Sequence, residues 1–118
     1  MAFAEVRVEI TQAGGAPSGV IWDVDPRDGT SAQPEEEPDV ARAAVEGATI
    51  GLQTIADMGL DVAAHTVRIT WVGMNVVDTE ASAVRAAACA ATADAFGLLD
   101  LFELSGDAQG WRCEPRRR

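Results

Sequence analysis

Hydrophobic and polar residues alternate along the first segment, 4-AEVRVEITQ-12, as is typical of a half-buried β-strand. Val6, Val8 and Ile10 fall on one side, and charged residues separate them. The next segment, 14-GGAPSG-19, is rich in turn residues, and 20-VIWDVD-25 indicates a second short strand. We therefore predict that the two strands form a hairpin.

A second alternation, 66-TVRITWV-72, predicts a strand with Val67, Ile69 and Trp71 on one face and polar residues on the other. Gly73 after it indicates a bend or bulge. Near the end of the chain, 98-LLDLFEL-104 predicts a strand, 105–110 a turn and 111–115 a further short strand.

Two longer segments repeat apolar or small residues at helical spacing. The first begins near Asp39, either as its cap or in its first turn, and ends at 58-MG-59, because glycine is the usual residue just past a helix. The second is 78-DTEASAVRAAACAATADAFG-97, for which we predict Asp78 as the N-cap and Gly97 as the end.

The second helix carries alanine at nine of its twenty positions, and the first repeats Ala43, Gly47 and Gly51 every four residues. Glycine inside a helix costs about 1 kcal/mol relative to alanine, so two of them indicate a packing reason. We predict that the helices lie side by side with their backbones in near contact, with Ala88 and Ala91 at close contacts. An alanine-rich helix without any special contact is the alternative.

The element order ββαβαβ, with one further β-strand at the end, predicts an α+β two-layer sandwich, with two helices on one face of a mostly antiparallel sheet. A length of 118 residues predicts one domain over 1–118. Residues 26–38, PRDGTSAQPEEEP, contain three prolines and the triple glutamate 35-EEE-37. We expect nothing in this segment to pack, and we interpret it as a mobile acidic loop.

The charge balance excludes some partners. Nineteen acidic residues face nine arginines, three of which form the basic C-terminal tail 116-RRR-118, so residues 1–115 carry a formal charge of −13. Binding to nucleic acid needs a positive footprint, so we expect a protein partner instead. No apolar run approaches the ~20 residues of a membrane span and no signal peptide is apparent, so we expect a cytoplasmic protein without a membrane partner.

The run 67-VRITWVGMNVVDTEASAVRAAACAA-91 resembles domain IV of translation elongation factor G, in which a strand, a bend with glycine and an Asp-Ser/Thr pair lead into a helix with regularly placed small residues. Asp78 and Thr79 match that pair. The segment 14-GGAP-17 is similar to the Gly-Gly-x-Ile-Pro loop of that domain, one residue short. The small helix residues that match are Ala83, Ala87, Ala88 and Ala91.

This resemblance implies a two-layer fold with a left-handed β-α-β crossover, an exception to the usual right-handed connection. The order of elements also resembles the small trypsin-co-occurring domains of bacterial conflict systems, which implies a module of a larger bacterial system. Two departures bear on activity. The chain has no P-loop, and its bend 73-GMNVV-77 lacks the histidine that reaches the decoding site in the elongation factor. We therefore expect this chain to have the fold of that domain but not the activity of the elongation factor.

Candidate chemistry is sparse. His65 stands alone before a strand, and a catalytic triad would need partners to which the sequence does not point. In 23-DVDPRDG-29 the carboxylates Asp23, Asp25 and Asp28 lack the spacing of a calcium loop, so we expect neither a metal nor a cofactor. Cys89 and Cys113 make neither a disulfide framework nor a zinc site, and we interpret them as small buried hydrophobes.

The candidate interaction residues are Trp22, Trp71 and Trp111, which we expect in the core or on a sheet face; two of them exposed together would mark an interface. A non-catalytic protein-interaction or regulatory module, compatible with a homodimer through a sheet edge, is the favoured function. The alternative is a small-molecule-binding protein or small enzyme of the same fold class. Its site would lie near loop 26–38, in a crevice that holds His65 or the three aspartates.

Overall fold

The computed structural model describes residues 5–12, 19–60, 62, 65–73, 81–107 and 110–116. The order of elements agrees with the prediction, including the final strand. The elements are β1 (Glu5–Gln12), β2 (Gly19–Trp22), α1 (Pro38–Asp57), β3 (His65–Gly73), α2 (Ala81–Ala95), a 3₁₀ turn (Leu99–Leu101), β4 (Phe102–Asp107) and β5 (Gly110–Pro115).

The two helices pack against a mixed three-stranded sheet, which confirms the α+β class. Strand β3 is central, with β1 antiparallel on one side and β2 parallel on the other. Strands β4 and β5 form a separate antiparallel hairpin. The Cα atoms span 39 × 36 × 18 Å, and the short dimension fits two layers, since packed layers lie about 10 Å apart.

The predicted hairpin between β1 and β2 is wrong, because β3 lies between them and pairs with both. Turn-forming composition in a connection indicates a change of direction but does not choose the pairing partner. The two strands are separated by two strand spacings, about 10 Å, which six residues can cross. Strand β2 instead continues through α1 into the parallel strand β3, as a β-α-β unit.

Helices α1 and α2 lie in near contact at Gly47, as the spacing of small residues predicts. A Cβ atom added to Gly47 would lie 2.0 Å from the carbonyl oxygen of Arg85, and one added to Gly51 would lie 3.1 Å from that of Cys89. Ala88 is fully buried in the core formed by the sheet and both helices. The near contact of the two backbones is therefore present, and glycine at position 47 is what permits it.

The predicted alternation along β3 holds up to Ile69 and then reverses. Arg7 of β1 pairs with Trp71, but the next residue, Val8, pairs with Ile69, so Thr70 is an extra residue that forms a β-bulge. The prediction that Trp71 shares a face with Ile69 is therefore wrong. The bulge turns Trp71 to the same face as Arg7, away from the helices.

Residues 26–38 contact the sheet through the middle of the segment. Ser31 and Ala32 are buried, the backbone N–H of Ala32 donates to the carbonyl of Val72 at 2.9 Å, and the Ser31 hydroxyl accepts from the N–H of Val72 at 3.0 Å. The expectation that nothing in this segment packs is wrong, because two small residues lie hidden among prolines and glutamates. The last residue, Pro38, already begins α1.

The helix ends follow the glycine signals. Gly59 and Gly97 have φ of 88° and 74°, which glycine adopts without strain, and each follows the end of a helix. The predicted N-cap Asp78 lies outside the described residues. The predicted strand 98–104 begins only at Phe102, after the 3₁₀ turn.

Arg116 fixes the chain just beyond β5. Its backbone N–H donates to the carbonyl of Leu101 at 2.8 Å, and its Nε donates to the carbonyl of Asp100 at 2.8 Å. The first residue of the basic tail is thus attached to the 3₁₀ turn, and the other two lie outside the described residues.

Candidate functional site

The face of the three-stranded sheet that points away from the helices is called here the open sheet face. The strand register arranges its side chains in rows across the sheet. Glu9 of β1, Arg68 of β3 and Ile21 of β2 form one row. Arg7 and Trp71 form the next.

The central cation of the first row is held by carboxylates on both sides. The Nη1 atom of Arg68 lies 3.1 Å from a carboxylate oxygen of Glu9, and its Nε donates to Asp23 at 2.8 Å. Hydrogen bonding to Asp23, with the charge of that carboxylate, raises the pKa of Arg68 above its ordinary value. Glu9, Arg68 and Asp23 are called here the ladder. The ladder joins residues of β1 and β3 with the residue that follows β2, and it holds Arg68 in one orientation on the open sheet face.

The second row contains a stacked cation and aromatic ring. The guanidinium carbon of Arg7 lies 4.4 Å from the ring centroid of Trp71, within the range of a cation–π interaction. The indole Nε1 donates to the hydroxyl of Thr30 at 3.0 Å, and the Nε of Arg7 donates to Glu5 at 2.9 Å. In the row of Arg68, Ile21 is 50% exposed. The open sheet face therefore presents an ordered aromatic ring, a fixed cation and an exposed aliphatic side chain.

The structure places one of the three predicted interaction residues on the open sheet face and two against the main core, and none is fully exposed. Trp71 lies on the open sheet face. Trp22 packs against the main core from the helix side of β2, where it pairs with Ile69. Trp111 of β5 also packs against the main core, and a Cβ atom on Gly106 would lie 3.0 Å from its ring. The three tryptophans do not form one common patch.

A cavity of about 330 Å³ lies between Trp22 and the segment after β2. Gln33 in its wall is fixed by hydrogen bonds from Nε2 to the carbonyls of Asp25 and Asp28, at 2.9 and 3.0 Å. This is the region proposed for a ligand in the alternative hypothesis, although neither His65 nor the three aspartate side chains line it. The lining residues are Trp22, Val24, Pro26, Gln33, Pro34, Glu35 and Glu36.

The three aspartates each take a separate partner. Asp23 binds Arg68, Asp25 accepts from the N–H of Arg27 at 2.9 Å, and Asp28 accepts from both the hydroxyl and the N–H of Thr30, at 2.5 and 2.9 Å. These two hydrogen bonds lower the pKa of Asp28, that from the hydroxyl more than that from the N–H. Within the described ranges, no three His, Cys, Asp or Glu side chains cluster as metal ligands would.

His65 begins β3 with its ring edge-on to Phe96, at a centroid distance of 5.7 Å. Its Nδ1 atom is buried and has no hydrogen-bond partner among the described residues. At the start of β3, the ring thus packs against an aromatic neighbour, and no described residue holds its Nδ1 atom.

The two cysteines, interpreted from the sequence as small buried hydrophobes, are brought together by the fold. Cys89 is buried in a small cluster with Ile55, Ala93 and Phe102, and its Sγ lies 3.8 Å from the carbonyl oxygen of Cys113. Both are free thiols. They line a crevice of about 170 Å³ between the two helices and β5.

Comparisons with protein-family models, with curated proteins and with solved structures found no match to this chain. The resemblance to domain IV of elongation factor G therefore stays a prediction. Within the described residues, no helix combines the length and the apolar character needed to cross a bilayer.

Arg7, Ile21 and Arg68 were not among the predicted site residues. The sequence pattern that could have indicated this face is the polar side of the alternating strands, where Glu9 and Arg68 have opposite charges. This pattern did not lead to the prediction of a site, because the predicted hairpin paired β1 with β2 and so did not place Glu9 beside Arg68. Nothing in the sequence indicates that the two cysteines lie close together, since they are 24 positions apart and on different elements.

Proposed function

We propose that the chain is a non-catalytic protein-interaction or regulatory module that binds a protein partner through the open sheet face. Support comes from the Arg7–Trp71 stack and from the half-exposed Ile21 on the same sheet face. Tryptophan and arginine are enriched among the residues that contribute most to protein–protein binding. An ordered aromatic ring also loses little conformational entropy on binding.

The charge of the chain indicates the kind of partner. Residues 1–115 carry a formal charge of −13, so a partner with a basic or neutral surface is favoured in the encounter. The ladder of Glu9, Arg68 and Asp23 adds charged side chains to the same sheet face, and interfaces combine apolar with polar side chains. Operation in the cytoplasm, within a larger bacterial system, belongs to the same proposal. The larger system is what the sequence resemblance implies.

Two isoleucines of similar exposure allow a matched test. Ile21 on the open sheet face is 50% exposed, and Ile50 on α1 is 46% exposed. Ile21→Glu places a carboxylate opposite Arg68, which should preserve the strand pairing, while Ile50→Glu puts a good helix former on the helix surface. The measurement is affinity capture from a lysate of the source cells with wild type and both variants, quantified by mass spectrometry.

We expect a protein that wild type and Ile50→Glu capture equally and that Ile21→Glu loses. Equal capture by all three proteins would contradict binding through the open sheet face. A homodimer is tested separately by sedimentation velocity. Self-association that Ile21→Glu abolishes would identify the partner as a second copy of the chain.

A second candidate function, the binding of a small molecule, is favoured by the cavity of about 330 Å³ beside Trp22. This volume is at the lower end of ligand pockets. The test is a ligand-observed NMR screen in which hits are repeated with Trp22→Leu and Trp71→Leu. Hits lost only in Trp22→Leu support this function, and a screen in which both variants keep every hit contradicts it.

A further inference from the structure

Cys89 and Cys113 lie in one crevice that nothing in the proposed function uses. Cys89 belongs to α2 and is 2% exposed, whereas Cys113 belongs to β5 and is half-buried. The 3.8 Å distance from the Cys89 sulfur to the Cys113 carbonyl places the sulfur against the backbone of its neighbour. Arg85, Arg112 and Glu114 stand in the wall of the same crevice, so charges of both signs line it.

The two thiols have different acidities because they interact. A hydrogen bond between the side chains is the largest cause of both shifts; it lowers the pKa of Cys113 and, with burial, raises the pKa of Cys89 far above its ordinary value. The Cys89 thiol also donates to the carbonyl oxygen of Cys113 at 3.8 Å, so Cys89 keeps its proton while Cys113 loses its own more readily. Cys113 is thus the sulfur that ionises first, and it is also the more accessible of the two.

We propose that Cys89 and Cys113 are a redox-active pair that forms a reversible intramolecular disulfide when the protein meets a hydroperoxide. The Cys113 thiolate attacks one peroxide oxygen, the O–O bond breaks, and a sulfenic acid and a water or alcohol result. The Cys89 sulfur then attacks the Cys113 sulfur, the S–O bond breaks, and a water molecule leaves with the thiol proton. Two thiols are oxidised, and one hydroperoxide is reduced.

The fold gives this bond a defined consequence. Strand β5 is the last strand of the β4–β5 hairpin, and α2 packs against the sheet through β1. The bond would fix the hairpin covalently to α2 across the crevice. Reversal needs only a dithiol reductant, which suits a thiol pair in a reducing compartment, where disulfides are usually transient.

The test treats the purified, reduced protein with increasing hydrogen peroxide, blocks the remaining thiols by alkylation, and measures intact mass and peptide maps. We expect a monomer lighter by two hydrogens, one peptide pair joined through Cys89 and Cys113, and recovery of both thiols with dithiothreitol. Cys89→Ala leaves Cys113 without its resolving partner, so a dimedone-reactive sulfenic acid should accumulate. Cys113→Ser should leave Cys89 reduced at the same peroxide concentrations.

Three results would each overturn the proposal. In the first, both thiols stay open to alkylation at peroxide concentrations that oxidise free cysteine. In the second, Cys113 passes to sulfinic acid in the wild type without a bond to Cys89. In the third, the disulfide forms only between chains. All three results are measured on the wild-type protein, so the test does not depend on whether the cysteine variants fold.

Discussion

The close approach of α1 and α2 makes a definite prediction about Gly47. Replacing this glycine by alanine puts a Cβ atom 2.0 Å from the carbonyl oxygen of Arg85, 2.7 Å from its carbonyl carbon and 2.9 Å from its Cα. All three are backbone atoms of the facing helix, so no side chain can rotate away. The helices would have to separate by more than about 1 Å to restore an ordinary contact.

Two opposing terms set the size of the effect. Overpacking of a well-filled contact costs about 1–3 kcal/mol, and the upper end applies because the obstacle is backbone. Alanine has a better helix propensity than glycine by about 1 kcal/mol. We therefore expect Gly47→Ala to lower the free energy of unfolding by about 2 kcal/mol, equivalent to a fall in Tm of roughly 10 °C in a domain of this size.

Chemical denaturation of three variants tests this reasoning. Gly51→Ala meets the Cys89 backbone at 3.1 Å, which a shift of a few tenths of an ångström relieves, so its loss should be much smaller. Gly29→Ala, where nothing lies within 4 Å, should stay within about 0.5 kcal/mol of wild type. A Gly47→Ala variant as stable as wild type, or more stable, would refute the close approach of the helices.

Three further predictions concern stability. Ala88→Leu should cost about 1–3 kcal/mol in chemical denaturation and half-buried Ala90→Leu markedly less; equal effects would mean that the helix is merely rich in alanine. Deleting residues 116–118 should cost about 1 kcal/mol, because the hydrogen bonds to the 3₁₀ turn are lost, whereas deleting only the last two should leave the Tm unchanged. Because hydrogen bonding from Thr30 lowers the pKa of Asp28 below 3.8, its stabilisation is complete above that value and is lost as the pH falls through the lower folded value. Asp28→Ala should therefore be less stable than wild type in urea at neutral pH, and the difference should vanish in strong acid; a difference that persists there would contradict this assignment.

The strands show which structural features the alternation of hydrophobic residues can predict and which it cannot. The alternation of Val6, Val8 and Ile10 predicted β1 and its buried side correctly, because the period of a half-buried strand is local. Trp71 was assigned to the wrong face, since one extra residue at Thr70 reverses the period and nothing in the composition marks it. Periodicity identifies a strand but does not locate a bulge.

Other features depend on contacts between distant elements. The spacing of Gly47 and Gly51 predicted close packing because only a close neighbour explains two costly glycines in one helix. Ser31, by contrast, binds the backbone of β3 through a contact that its own segment, rich in proline and glutamate, does not signal. The open sheet face was missed for a related reason, since Arg68 finds its carboxylates only once β3 is placed between the other strands.

The central position of β3 also has a kinetic consequence. Every residue pair in the three-stranded sheet joins positions at least 47 apart along the chain, the separation of Gly19 from Thr66. No strand pair in this sheet can therefore form from a local turn, and only β4 and β5 are neighbours in sequence. Because the entropy of closing large loops must be overcome before such pairs contribute, domains with distant pairings fold slowly. The chain should thus gain its helices early and its sheet late, when β3 inserts between two strands that do not touch each other.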